Sequence, residues 1–178
     1  MSLHSLRQIL PPPDAPWEAV APARWPSVER FLCTELPTDY KQFLEVYGTG
    51  HIDGYLRVSN PLRRSTYPWI QETLGALGHL HEMRAGFGRE QVPDSLFPEL
   101  GGLLPWASTT SGDSLYWRTR GTPDRWTVVV LPARATGGDD FDGPAIAFLE
   151  AVLRRQYRSH VMGEFPESPV FIPDSVNQ

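Results

Sequence analysis

A chain of 178 residues with a formal net charge of −5 and a single cysteine is the size of one domain and has no internal disulfide. The acidic balance excludes the basic footprint of a nonspecific nucleic-acid binder, and no window approaches the ~20 consecutive apolar residues of a membrane span. Six Trp, six Tyr and eight Phe supply the large apolar surfaces of a real core. At this length a fold buries roughly 70% of the unfolded surface. The lone Cys33 and the lack of a secretory apolar stretch make the cytoplasm the expected compartment.

In chain order, Leu3, Leu6, Arg7 and Leu10 form a short amphipathic stretch, followed by six prolines between Pro11 and Pro26. Residues 1–24 therefore read as a proline-rich arm, extended over Pro11–Pro22, with a ligand for a proline-recognising domain as the alternative. Trp25, Val28, Phe31 and Leu32 predict a short helix, with Cys33 beside it as a small buried hydrophobe.

Residues 35–61 are the organising stretch. Pro37 suits the first position of a helix, Asp39 places a charge where the helix dipole favours it, and Tyr40, Phe43, Leu44 and Tyr47 form a stripe of helical period. Gly48 closes that helix in the left-handed conformation, Gly50 and Gly54 keep the connection tight, and Tyr55–Val58 reads as a strand ended by Asn60-Pro61. Pro61–Pro68 is a loop carrying Arg63-Arg64. A helix then runs from about Trp69 to Arg84, with Ile70, Leu74, Leu77, Leu80 and Met83 on one side. Gly75 and Gly78 weaken it by about 1 kcal/mol each relative to Ala, which predicts a closely packed neighbour. Gly86, Gly88 and Pro93 end it, and residues 85–101 read mostly as loop.

The region 102–131 turns to strand: Gly102–Ala107, then Leu115–Trp117, then Trp126–Leu131. Arg120–Asp124 has reversal chemistry, so the second and third strands are expected to be antiparallel. The run WTVVVL lacks polar alternation and predicts a strand covered on both faces. Thr136–Asp142 reads as a polar loop, with Asp142 the N-cap and Pro144 just inside a helix whose stripe is Ala145, Phe148, Leu149, Val152 and Leu153. Arg154, Arg155 and Arg158 gather at its C-terminal end, as the dipole prefers. In the tail, 163–178, Val170-Phe171-Ile172 docks as an edge strand.

The run Leu36-Pro37-x-Asp39-Tyr40-x-x-Phe43-Leu44-x-x-Tyr47-Gly48-x-Gly50 resembles the signature of the SUKH superfamily, which includes bacterial immunity proteins and fungal regulators of cell-wall synthesis. A second block is similar as well, with Asp113, Leu115, Trp117, Asp124, Trp126, Val128 and Val129 at the corresponding places, and the Ala145–Leu153 helix completes the order. Many members carry Asn-Gly where this chain has Gly48-Thr49. The resemblance spans about Trp25 to Tyr157 and implies an α+β fold, a mainly antiparallel β-sheet backed by helices in a single SUKH-like domain over 25–162.

Catalytic motifs are not found. Gly48, Gly50 and Gly54 lack the dinucleotide spacing and follow a helix, not a strand. His79 and His81 lie roughly 200° apart around a helix, so they share no metal. Asp140-x-Asp142-Gly143 would put Gly138 and Leu149 at the first and last positions of a calcium loop, where carboxylates are required. No enzyme, cofactor or metal is expected. The resemblance implies a protein partner, a cognate toxin of the basic nuclease kind, which an acidic surface would cover by charge complementarity. A regulatory scaffold without a toxin is the alternative. The expected contacts are an exposed rim of Tyr55, Trp69, Trp106, Asp113, Asp139 and Asp140, with turn-making the other reading of Asp113 and core packing that of Trp106.

Overall fold

A computed structural model describes residues 3–64, 69–88, 94–134 and 137–175. Pro68, Pro93 and Thr136, which the sequence places in loops, lie outside the described residues, as do residues 176–178 of the tail. Seven strands form one sheet in the order β6-β5-β4-β3-β2-β1-β7, and every neighbouring pair is antiparallel. The strands are β1 (Gly50–Ile52), β2 (Leu56–Val58), β3 (Leu103–Thr109), β4 (Ser114–Arg118), β5 (Thr127–Leu131), β6 (Asp139–Phe141) and β7 (Phe171–Pro173). The helices are α1 (Leu3–Ile9), α2 (Trp25–Leu32), α3 (Thr38–Tyr47), α4 (Trp69–Phe87) and α5 (Ala145–Leu153). The α+β class read from the sequence is the observed one.

Period two along the strands divides the core. Leu104, Trp106, Leu115, Trp117, Val128 and Val130 face the main cluster with the stripes of α1, α3 and α5. Leu103, Tyr116 and Val129 face the opposite side, where Leu80 and Met83 of α4 cover them. That two-sided cover is why WTVVVL shows no alternation. A bulge between Pro105 and Ala107 turns Trp106 and Ala107 to the same side.

Leu6 and Leu10 of the proline-rich arm are fully buried in the main cluster. The Tyr47 hydroxyl donates to the Leu10 carbonyl at 2.6 Å. The docked tail strand β7 pairs with β1, bringing Phe171 onto Tyr47 at 5.1 Å between ring centroids.

Several local expectations are corrected. The connection after α3 is a hairpin: β1 and β2 are joined through Asp53 and Gly54, both at positive φ (53° and 63°), and Asp53-Gly54 is the turn signal that identifies it. Pro37 stands just before α3 and not inside it. Gly48 has φ 70° and ψ −148°, a region only glycine enters easily, and not the left-handed helical one. A Cβ there would sit 2.1 Å from the Trp17 carbonyl oxygen.

Cys33 is exposed, because it forms the left-handed cap of α2 (φ 54°, ψ 29°). Leu74 is exposed, and a Cβ on Gly75 or Gly78 would meet nothing within 4 Å, so no close neighbour explains those glycines. Asp139–Phe141, expected inside a loop, pairs with β5 as an edge strand. The N-cap of α5 is Pro144, with no cap from Asp142. Asp39 supplies the acceptor instead, taking the Ile146 N–H at 3.1 Å.

Candidate interaction surface

The six residues expected to form an exposed rim separate into three groups. Tyr55, in the β1–β2 turn, and Asp139 and Asp140, on the far edge strand β6, each contact the segment 157–165. The half-buried Tyr55 hydroxyl accepts the Gly163 N–H at 3.1 Å, and its ring lies 5.8 Å from Phe165. Asp139 is buried, and its carboxylate takes the Ser159 hydroxyl at 2.5 Å and the His160 N–H at 2.9 Å. Only Asp140 is freely exposed, with its side chain 68% accessible and ion-paired to Arg118 at 2.6 Å.

Trp106 and Asp113 are removed from any rim. Trp106 stacks on Trp117 in the core at 5.8 Å and is 1% exposed. Asp113 is buried in the β3–β4 turn, where it accepts from the Thr109 hydroxyl at 2.8 Å and from the Ala133 N–H at 3.2 Å. The exposure expected of Trp69, Trp106, Asp113 and Asp139 is therefore corrected: each side chain is consumed by packing or by turn formation. Trp69, buried at the head of α4, lies beside a recess.

That recess, about 450 Å³, lies between α2 and the start of α4. Val28, Phe31, Leu62, Arg64, Trp69 and Ile70 are among its lining residues. Phe31 is 58% exposed although its helix turns Trp25, Val28 and Leu32 inward. Its place on the helical wheel is about 60° outside the arc set by those three residues, and this is the signal in the sequence that marks it. The loop beneath is fixed by a buried polar group. Asn60 donates to the Thr49 hydroxyl at 2.8 Å and to the Glu18 carbonyl at 3.2 Å, and it accepts the Leu62 N–H at 2.9 Å. Glu18 also accepts the Arg64 N–H at 2.7 Å. Arg63 is paired with Glu72.

A smaller cleft of about 260 Å³ opens under α4 on the other sheet face, beside Arg57, Glu72, Thr73, Ser108 and Ser114. Burial pushes the Glu72 carboxyl up, opposed by the nearby Arg57 charge. Among the described residues no group of three or more His, Cys, Asp or Glu is placed to hold a metal ion. No described helix is long and apolar enough to cross a membrane.

A family model described as SMI1-KNR4 cell-wall, SUKH_6, matches residues 23–148, well over half of the chain. The chain belongs to the SUKH superfamily. Neither the curated proteins nor the solved structures provided a significant match. SUKH proteins are in general non-catalytic immunity or regulator proteins that bind other proteins.

In this SUKH domain the signature residues serve the fold. Asp124 accepts the Thr38 N–H at 2.6 Å and so caps α3, while Asp39 caps α5. The Tyr40 hydroxyl donates to the Ser59 carbonyl, and its ring meets Trp117 edge-on at 4.8 Å. Burial pushes the Tyr40 phenol well above its usual range, so it stays a neutral donor. Phe43 stacks on Tyr47 at 4.4 Å.

Proposed function

We propose that this SUKH protein is a cytoplasmic, non-catalytic immunity protein that neutralises a cognate bacterial toxin by occluding it. Membership of a family of immunity and regulator proteins carries this reading. The net charge of −5 supports a basic toxin, such as a nuclease, because complementary charge speeds encounter with a nucleic-acid-binding groove. Of the expected contacts, Asp140, Tyr55 and Trp69 are retained; Asp140 carries the accessible charge.

The test is a pull-down with the tagged full chain from its own cells. The expected result is one stoichiometric partner that is toxic when expressed alone and harmless when co-expressed. Asp140→Lys then slows association and flattens its salt dependence; unchanged kinetics would remove β6 from the interface. Asp139 is unsuitable for this experiment, since its carboxylate holds the 159–161 turn.

The description of the matching model as SMI1-KNR4 cell-wall favours a second reading, a regulatory scaffold with no toxin. Several endogenous partners, none toxic alone, would establish it in place of the first.

A further inference from the structure

We propose that the recess between α2 and the start of α4 docks a segment of a partner protein bearing an apolar anchor side chain flanked by carboxylates. The inference holds for an immunity protein and for a scaffold alike, because it concerns what this surface accepts.

Three observations carry it. The first is apolar. Val28, Leu62, Trp69 and Ile70 line a recess of about 450 Å³, and Phe31 stands at its edge 58% exposed. A recess of this size accommodates one or two large apolar side chains, the usual anchor of a peptide in a groove.

The second is electrostatic. The chain as a whole carries −5, yet the recess carries the opposite sign. Arg64 lines both this recess and an adjoining one of about 320 Å³, which Arg24 also lines. Both arginines are exposed, and neither guanidinium is ion-paired among the described residues. The one carboxylate of the adjoining recess, Glu18, accepts the Arg64 N–H and the Thr49 hydroxyl and offsets one of the two charges, which leaves the lining net positive. Arg63 is occupied by Glu72. Two exposed guanidiniums beside an apolar floor are complementary to carboxylates beside an apolar anchor.

The third is preorganisation. Asn60 fixes the Leu62 N–H and Glu18 fixes the Arg64 N–H, so residues 60–64 of the recess wall are held before anything binds. Little ordering then opposes docking.

The experiment pans a library of randomised peptides displayed on phage against the full chain, with Phe31→Ser and Arg24→Glu/Arg64→Glu chains as counter-selections. All of these positions are exposed, so the variants keep the wild-type melting temperature. The expected result is enrichment of Leu, Phe or Trp flanked by Asp or Glu. Phe31→Ser weakens the selected peptides by about tenfold or more, and their chemical-shift changes centre on Val28, Leu62 and Ile70. Enrichment of Lys- or Arg-flanked peptides, enrichment indifferent to Phe31, no enrichment, or Phe31-dependent binding of anionic vesicles in place of peptides would each overturn the proposal. The pull-down that tests the toxin reading is scored on the partner's toxicity, so the two can fail separately.

Discussion

Oδ2 of Asp39 accepts the backbone N–H of Ile146 at 3.1 Å, across 107 residues of sequence, so the first turn of α3 caps the first turn of α5. Its other oxygen takes the Tyr40 N–H at 2.7 Å. Asp124 in turn caps α3 through Thr38, so two helix starts and the β4–β5 connection are tied in series.

Asp39→Ala is expected to lower stability by about 1–2 kcal/mol, the usual cost of a lost cap. Urea denaturation measures it. A double variant with Asp124→Ala should depart from additivity, since the two carboxylates act on adjoining turns and repel each other.

Glycines give a contrast of sign. Gly48→Ala places a Cβ 2.1 Å from the Trp17 carbonyl oxygen at a backbone φ of 70°, and a loss of more than about 2 kcal/mol is expected. Gly78→Ala, in a helix with open space around it, should gain about 0.5–1 kcal/mol. Thermal melts of the two variants should move in opposite directions.

Asn60→Ala leaves the Leu62 N–H without its partner and should cost about 1–3 kcal/mol. Asn60→Asp is expected to be at least as damaging. The amide nitrogen donates to the Thr49 hydroxyl and the Glu18 carbonyl, and a carboxylate there would face the Glu18 carbonyl acceptor to acceptor. Chemical denaturation of both variants checks this.

Glu150 provides a pH dependence. Burial pushes its carboxyl up, but the hydrogen bonds from the Ser5 hydroxyl and Arg154 outweigh that and hold it below the ordinary 4.5. The folded protein therefore binds fewer protons at this group than the unfolded chain does. The stability it contributes is complete above 4.5 and is lost as pH falls through the lowered folded value. Glu150→Gln should thus be less stable than wild type near neutral pH, and the gap should close on acidification. Urea titrations at several pH values read it directly.

Much of the fold was legible because its causes are local. The i, i+3, i+4, i+7 stripe of α3, the unbroken apolar run of β5 and the Pro–Gly reversal before it each follow from side-chain period and turn chemistry over a few residues. The signature around Asp39 and Tyr40 identified the family before any contact was known, and the family match agrees.

What the chain order could not express was which side chains become buried against distant ones. Trp106 and Asp139 were expected at the surface, yet the packing of α5 over the sheet covers the first and a remote turn captures the second. Phe31 sits at the margin of the α2 stripe on the helical wheel, but only the packing of α2 shows that it stays outside, next to a loop ordered by Asn60 and Glu18. Most helices and central strands were settled by neighbours in sequence, whereas the short strands β1 and β6 took shape through pairing with other strands. The shape and charge of the accessible surface were decided by residues brought together from far apart, since burial and hydrogen-bond satisfaction are properties of the assembled core and not of any segment.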